Sequence, residues 1–308
     1  MTARIDILLA TYNGGRYLSG QLASLEAQTH RDWHLFARDD GSSDDTSAIL
    51  QAFAHRFPLR VTILPTEARL GARGSFAALM AQAQADYIAF CDQDDIWLPH
   101  KLEHLFSAMR NLEGEAGAVP ALVHCDLELV DDALSPIAPS FWRYQGIDPA
   151  RNDLARLLME NTVTGCATLI NRALLELALP MPDAAQMHDH WLALIAAATG
   201  RIAYVDAALV RYRQHGKNVV GASRPGGMGA ALKADSSVRR GLDLRPSCRR
   251  AEALVEAIGA HVDPARLAPA RALAQLYDEG WLGRRLLLWR HGMWPYRWRR
   301  RVLLLCRI

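Results

Sequence analysis

The chain has 308 residues, half of them hydrophobic, and a formal net charge of +2. This length supports a large core with an appendage, and the small net charge argues against a general nucleic-acid-binding protein. The five cysteines are scattered and lack a C-x-x-C pair, which argues against a disulfide framework or a zinc site and favours a reducing cytoplasm.

The first third of the chain alternates apolar runs with helical patterns. These runs predict four strands: Ile5–Ala10 and Tyr87–Cys91, both buried, and Trp33–Ala37 and Val61–Leu64. Helical spacing of leucines follows the first strand, and Ser42 with Asp45 resembles a capping box for the second helix. A third helix is predicted at Ser75–Ala83, and Pro99 opens a fourth. This order predicts an α/β fold with a mostly parallel sheet flanked by helices on both faces.

The second half predicts further strands, one short helix and a helical C-terminal extension. The predicted strands are Ala121–Asp131, Gly165–Asn171, Ile202–Asp206 and Leu209–Arg213, and the short helix is His190–Thr199. A stretch rich in Gly, Ser, Arg and Pro predicts a flexible linker at 221–248. Helices are predicted beyond it at Arg249–Ala260, Pro264–Gly280 and Leu282–Cys306. We therefore divide the chain into a unit over 1–220, the linker, and an extension over 249–308.

Polar residues collect behind the predicted strands, where α/β folds place their ligands. Thr11 and Asn13 follow the first strand and Asp40 follows the second. Arg73, behind the third strand, is a candidate for binding a diphosphate. Behind the fourth strand stands Asp92-Gln93-Asp94-Asp95, whose carboxylates repel one another unless they share a cation. The alternatives are a helix cap for Asp40 and a solvated acidic turn for the cluster.

Several motifs, in order over about residues 1–220, resemble glycosyltransferase family 2 and within it the bacterial rhamnosyltransferase-like group. They are Ala10-Thr11-Tyr12-Asn13-Gly14-Gly15, Arg38-Asp39-Asp40-Gly41-Ser42-Ser43-Asp44, Phe90-Cys91-Asp92-Gln93-Asp94-Asp95-Ile96-Trp97, Asn161-Thr162-Val163-Thr164-Gly165-Cys166, His188-Asp189-His190-Trp191 and Tyr212-Arg213-Gln214-His215-Gly216. The resemblance implies the GT-A (Rossmann-like) fold and sugar transfer from a nucleotide-sugar donor with inversion. It places a nucleotide-binding part at about 1–112 and an acceptor part at about 113–220.

Within the nucleotide-binding part, the resemblance implies that Asp40 holds the base or ribose and that Asp92 contacts the ribose. Thr11, Asn13 and Arg73 complete the predicted donor site.

The same resemblance implies that Asp94 binds Mg2+ or Mn2+, with His215 as a further metal ligand. From the residues alone, a His in this position is more often a hydrogen-bonding loop residue than a metal ligand. A divalent cation of this kind would neutralise the diphosphate that leaves during transfer.

On the acceptor side, the resemblance implies that Asp189 is the general base that deprotonates the acceptor hydroxyl. Without the resemblance, the default interpretation of an Asp just before a predicted helix is a helix N-cap. The commoner family motif has Glu where this chain has His188, and the rhamnosyltransferase-like group has the same substitution. Gly165 and Trp191 are the predicted acceptor contacts.

The stretch Trp281–Ile308 contains eight arginines and no acidic residue, which leaves a formal charge of −6 on the rest of the chain. Arginines mixed with tryptophans and leucines are typical of contact with an anionic membrane surface, although an ordinary packing helix with a basic face fits the same pattern. No apolar run reaches the roughly 20 residues of a membrane span. We expect a cytoplasmic protein, peripheral at the inner face of the cell membrane, with no nucleic-acid partner.

The function predicted from these features is that of an inverting, metal-dependent glycosyltransferase. It would move a sugar, with dTDP-rhamnose as one candidate donor, to a glycan or lipid-linked acceptor in O-antigen or capsule synthesis. The alternatives are a nucleotide-sugar-binding protein without catalysis and another metal-dependent phosphoryl- or nucleotidyl-transfer enzyme. The sequence does not identify the donor sugar, since that depends on a few pocket contacts.

Overall fold

A computed structural model describes residues 3–116, 119–215 and 243–294. Nine strands form one mixed sheet in the order β3-β2-β1-β4-β8-β6-β9-β5, with β7 paired to β6. The strands are β1 (Ile5–Thr11), β2 (Trp33–Asp39), β3 (Val61–Ile63), β4 (Tyr87–Cys91), β5 (Ile96–Trp97), β6 (Ala121–Val130), β7 (Pro136–Ala138), β8 (Thr168–Asn171) and β9 (Arg201–Arg213). The α/β class predicted from the sequence is confirmed.

Eleven α-helices lie in the described part of the chain. They are α1 (Gly15–Glu26), α2 (Thr46–Arg56), α3 (Gly71–Gln82), α4 (Lys101–Ala116), α5 (Phe141–Gln145), α6 (Leu154–Met159), α7 (Arg172–Ala178), α8 (His188–Thr199), α9 (Arg245–Ile258), α10 (Ala268–Ala274) and α11 (Trp281–Arg290). Two hydrophobic clusters cover the sheet, one on each face. Strands β1, β2 and β4 are buried on both faces along almost all of their length, and β4 is a continuous apolar run.

Parallel pairing is confined to two parts of the sheet. Strands β3, β2, β1 and β4 are all parallel, as predicted for the nucleotide-binding part. Beyond β4, strand β8 runs antiparallel to both β4 and β6, while β6 and β9 form a long parallel ladder. The carboxyl ends of β1, β2 and β4 therefore share one edge of the sheet.

Several predicted element boundaries are wrong, each for a local reason. The two closing strands are one strand, β9, because a register shift opposite Asp126 absorbs the irregular residues between them. The predicted strand Gly165–Asn171 begins with a 3-10 turn, and only Thr168–Asn171 is extended. Ser42 does not cap α2: its backbone N–H and hydroxyl both donate to Asp39, and the helix starts only at Thr46.

The C-terminal extension packs into the core of the molecule. Helix α9 begins at Arg245, inside the predicted linker, and buries Ala251, Leu254 and Ile258 in the hydrophobic cluster that also contains α8. The rest of the linker before residue 243, and the basic stretch after residue 294, lie outside the described residues. Within the described ranges, no helix combines the length and the apolar character needed to cross a membrane.

Candidate active site

A cavity of about 1210 Å3 lies at the carboxyl ends of β1, β2 and β4 and reaches the start of α8. Eight of the ten residues predicted as site residues line it: Thr11, Asn13, Asp40, Asp92, Asp94, Gly165, Asp189 and His215. Their strands and loops are far apart in sequence, but the parallel order of the sheet brings them to one edge. The predicted donor, metal and base positions thus share one cavity.

The loop after β1 is tied to the loops that follow β2 and β4. Asn13 adopts a left-handed backbone with φ of 48° and donates its N–H to the Ser42 hydroxyl at 2.8 Å. Gln93 accepts the Tyr12 N–H at 2.8 Å. The Tyr12 ring is partly exposed and carries the Arg69 guanidinium 4.1 Å from its centroid. These contacts place a flat aromatic surface and a positive charge at the end of the cavity next to β1 and β2.

Asp40 organises the loop before α3. Its carboxylate accepts hydrogen bonds from the Arg38 guanidinium at 2.6 Å and from the N–H groups of Leu70 and Gly71 at 2.7 and 2.8 Å. Burial raises the pKa of this carboxyl, but these hydrogen bonds outweigh it and hold the pKa below its usual value. Asp40 does not cap α2, because Asp44 accepts the Thr46 N–H there at 3.1 Å.

In the acidic cluster after β4, Asp95 is buried and Asp92 and Asp94 are half-buried, so the cluster is not a solvated turn. Asp95 is fully buried and accepts the Arg213 N–H at 3.1 Å, and its second carboxylate oxygen has no hydrogen-bond partner in the described structure. Asp94 lines the cavity, and its carboxylate is 2.7 Å from Nε2 of His215. Burial, and then the charge of Asp94, raise the pKa of Asp92 to about 7.

This cluster fits a divalent cation. Three carboxyl groups with one unpartnered buried oxygen form a site of unsatisfied negative charge, and hard cations such as Mg2+ and Mn2+ prefer oxygen ligands. Asp92, Asp95 and Cys166 also bring possible ligand atoms within 4.8 Å of one another. Because burial raises the pKa of the Cys166 thiol well above its usual value, Cys166 is a poor ligand. Asp94 with His215 is the better position, since the cavity reaches both.

Tyr17, which is not among the predicted site residues, packs against His215. Its ring stacks on the imidazole of His215 with centroids 4.9 Å apart. The guanidinium of Arg213, at the end of β9, lies 4.8 Å from the centroid of the Tyr17 ring. The Tyr17 hydroxyl donates to the carboxylate of Asp132. No sequence motif marks this residue, because its role depends on the distant end of β9.

Asp189 lies in the first turn of α8, and its carboxylate faces the cavity. It accepts the His190 backbone N–H at 2.7 Å and the Asn161 side-chain amide at 3.2 Å. The N-cap alternative is wrong, because α8 begins two residues earlier than predicted and its N-cap is Met187. Burial raises the pKa of Asp189 to about 6, which suits a group that accepts a proton near neutral pH.

His188 lies beside Asp189 as a buried, neutral imidazole. Its ring packs against Phe76 and Phe90 with centroids 3.9 and 4.7 Å apart, and burial lowers its pKa to about 3. Neither ring nitrogen has a hydrogen-bond partner in the described structure. A Cβ added at Gly165 would lie 2.6 Å from Nε2 of His188, so Gly165 supplies the space for this ring.

Arg73 and Trp191 differ from their predicted roles. Arg73 is not among the residues that line the cavity. It pairs with Asp183 at 2.5 Å near the surface. Trp191 is fully buried and donates its indole N–H to the Ala178 carbonyl at 3.0 Å. Helical periodicity explains the position of Trp191: it is two residues from Asp189, so the two side chains face different sides of α8.

A sequence model described as Glycosyl transferase family 2 matches residues 6–177. The dTDP-rhamnosyl transferase RfbG of Shigella flexneri is 29% identical over 228 residues, which cover 70% of this chain and 74% of that protein. An uncharacterized glycosyltransferase of Nostoc sp. is 28% identical over 223 residues, covering 70% of this chain and 66% of the Nostoc protein. The glucosyltransferase WfgD of Escherichia coli, named for UDP-Glc and a diphosphoundecaprenol-linked acceptor, is 34% identical over 34% of this chain and 40% of its own length.

Solved structures resemble the whole described molecule. Residues 1–349 of Staphylococcus aureus TarS in complex with UDP-GlcNAc give a TM-score of 0.57 at 15% identity, covering 96% of this chain and 93% of TarS 1–349. The mannosyltransferase PcManGT of Pyrobaculum calidifontis, in complex with GDP-Man and Mn2+, gives 0.55 at 17% identity, covering 99% and 84%. At such low identity the likeness carries the fold alone, and it confirms the predicted GT-A architecture.

Proposed function

The chain belongs to glycosyltransferase family 2, and from this premise we propose that it is an inverting, metal-dependent transferase of surface-polysaccharide synthesis. It takes a sugar from a nucleotide-sugar donor and adds it to a glycan or lipid-linked acceptor. The observation that carries the proposal is the cavity in which Asp189, with its raised pKa, lies on the acceptor side, and the Asp94–His215 pair on the donor side.

Asp189 performs the proton transfer. Its carboxylate is held by the His190 N–H and the Asn161 amide, and it takes the proton from the acceptor hydroxyl as that oxygen attacks the anomeric carbon. Attack from the side opposite the leaving nucleotide inverts the anomeric configuration.

The donor end of the cavity positions the nucleotide. The Tyr12 ring with Arg69 offers a face for the base, and Asp40 holds the loop before α3. Asp92, which lines the same cavity, would contact the ribose. When bound, Mg2+ or Mn2+ held by Asp94 and His215 would neutralise the charge that develops on the leaving diphosphate.

For the donor sugar, dTDP-rhamnose is the first candidate. The support is the printed name of the Shigella relative, with which this chain shares 29% identity over 70% of its own length. The name of the Escherichia coli relative supports a lipid-diphosphate-linked acceptor in the same way.

Contact with an anionic membrane surface, at the cytoplasmic face, is the third part of the proposal. Four large apolar side chains of α11 are exposed: Trp281, Leu282, Leu286 and Trp289. Arg285 stacks over the Trp281 ring at 3.8 Å, and Arg290 is exposed at the end of the helix. Exposed tryptophan and leucine beside arginine are the elements of interfacial binding to anionic lipid, where a lipid-linked acceptor would be presented.

The test is a transfer assay in which dTDP-rhamnose, UDP-glucose and GDP-mannose are each incubated with the protein and a membrane extract containing lipid-linked acceptors. We expect one donor to release its nucleoside diphosphate only with Mn2+ or Mg2+, and Asp189→Asn to abolish release while still binding that nucleotide. Nucleotide binding without transfer to any acceptor would instead favour a binding protein. Formation of the sugar 1-phosphate, with the nucleoside monophosphate released or transferred, would favour a phosphoryl- or nucleotidyl-transfer enzyme.

A further inference from the structure

Arg250 is a buried cation that the C-terminal helix α9 inserts beside the site. Its residue is only 5% exposed. One guanidinium nitrogen lies 2.7 Å from Nδ1 of His190, and another donates to the side-chain oxygen of Gln186 at 3.2 Å. In the described structure Arg250 forms no ion pair within 4.0 Å, and its Nε has no hydrogen-bond partner. A buried arginine without a contacting carboxylate is unfavourable for stability alone.

The contact with Arg250 fixes the protonation of His190. Nε2 of His190 lies 2.6 Å from the Leu157 carbonyl oxygen, which only accepts, so Nε2 carries the proton. Nδ1 is then the acceptor for the arginine. Burial and the positive charge of Arg250 lower the pKa of His190 to about 3, so the ring stays neutral. His190 is thereby held at both nitrogens in a single orientation.

The two partners of Arg250 stand on either side of Asp189 in the chain. Gln186 has a left-handed φ of 65°, an uncommon conformation for a residue other than glycine. His190 donates its backbone N–H to the Asp189 carboxylate at 2.7 Å. Both Gln186 and His190 line the cavity. The guanidinium therefore clamps the short segment that carries the base.

We propose that Arg250 is a positioning residue for sugar transfer: through Gln186 and His190 it holds Asp189 towards the acceptor hydroxyl, which makes α9 a working part of the acceptor side. This inference rests on the proposed function. It also gives the C-terminal extension a role in the reaction that is separate from membrane contact, because Arg250 lies on the inner face of α9.

The test compares Arg250→Met, which keeps the length and apolar stem, with Arg250→Lys and with Arg249→Met as the matched control. Arg249 is the exposed neighbour on the same helix. We expect Arg250→Met to lower kcat about tenfold or more, with the KM for donor changed less than about twofold, because the donor end is untouched. Arg250→Lys should recover part of kcat, since it keeps the charge and can still donate to His190. Arg249→Met should leave kcat unchanged.

A cycle with His190→Leu shows whether Arg250 acts through His190. We expect the double variant to lose little more kcat than either single variant, because both break the same clamp. A folded Arg250→Met with kcat within about twofold of the parent would overturn the inference. If Arg250→Met does not fold, the inference is tested by comparing Arg250→Lys with Arg249→Lys. Equal kcat values in these two variants would overturn the inference, and a lower kcat of Arg250→Lys at an equal KM for donor would support it. A parent protein without transfer activity would contradict the proposed function, which separates the two failures.

Discussion

Replacing Asp189 by Asn is expected to change how stability depends on pH, as well as to abolish transfer. Burial raises the pKa of Asp189 from its ordinary 3.8 to about 6. Between these values the folded state binds a proton that the unfolded state does not. The group therefore contributes stability fully below pH 3.8 and loses it as pH rises through about 6. An asparagine has no such titration.

The magnitude follows from the two pKa values. Protonation of a group with these values contributes about 2 kcal/mol at about pH 4.5 and almost nothing at about pH 7.5. The amide also leaves one hydrogen-bond donor unpaired, which costs about 1–3 kcal/mol, but this cost is the same at both pH values. As the pH rises from about 4.5 to about 7.5, the free energy of unfolding of the variant should therefore increase by about 2 kcal/mol relative to that of the parent.

Urea unfolding of both proteins at the two pH values measures this difference. Asp92 interacts with the charge of Asp189, so the same pair is also compared in an Asp92→Asn background, where that contribution is absent. For the parent, kcat/KM should fall about tenfold per pH unit below about 6 as the base becomes protonated. A stability difference that is identical at both pH values would show that Asp189 is not a buried, raised-pKa carboxyl, and would refute its assignment as the base on these grounds.

Three further predictions test other parts of the account. Gly165→Ala should lower kcat by at least about tenfold, because the new methyl group would lie 2.6 Å from the buried imidazole beneath it. Gly114→Ala, which meets nothing within 4 Å in an exposed helical position, should keep full activity and gain about 0.5–1 kcal/mol; equal effects of the two changes would contradict the packing argument. Leu254→Ala should destabilise the protein by about 2–5 kcal/mol in urea unfolding if α9 belongs to the core, and a cost below about 0.5 kcal/mol would show an independent extension. Trp281→Ala with Trp289→Ala should weaken sedimentation with phosphatidylglycerol vesicles while leaving nucleotide binding intact; unchanged sedimentation would argue against α11 as the membrane contact.

The N-terminal part of the fold could be predicted because its signals are local. Four short strands with apolar stretches are separated by helices with helical spacing, so the parallel order and its ligand edge follow from general rules. Asp94 and Asp189 were identified by the family motifs in which they stand. The raised pKa of Asp189 could not be predicted in this way, because it depends on the packing around that residue.

Other contacts around the cavity were harder to predict because the residues that form them lie far apart in sequence. Arg250 is 60 residues beyond His190, and no motif marks it. Tyr17 contacts His215 only because α1 and the end of β9 meet across the cavity. Trp191 lies next to a motif residue, but the turn of α8 directs it into the core.

The division into a catalytic unit, a linker and an extension also depended on composition, which could not show that α9 contributes to the hydrophobic cluster. The apolar stripe of α9 has the same periodicity whether it faces its own chain or another surface. Only the packing of Ala251 and Leu254 against the rest of the cluster identifies its partner.

The measurement that tests the central claim most directly is thermal shift with UDP, dTDP, GDP and CMP, each with and without Mn2+ or Mg2+. A ligand at 100 times its Kd adds about 2.7 kcal/mol of apparent stability, which such an assay resolves. The account predicts that one of the nucleotides stabilises the parent only with metal, that Asp94→Ala loses this effect, and that Asp189→Asn retains it. No stabilisation by any nucleotide with either metal would contradict the claim that this cavity is a metal-dependent donor site.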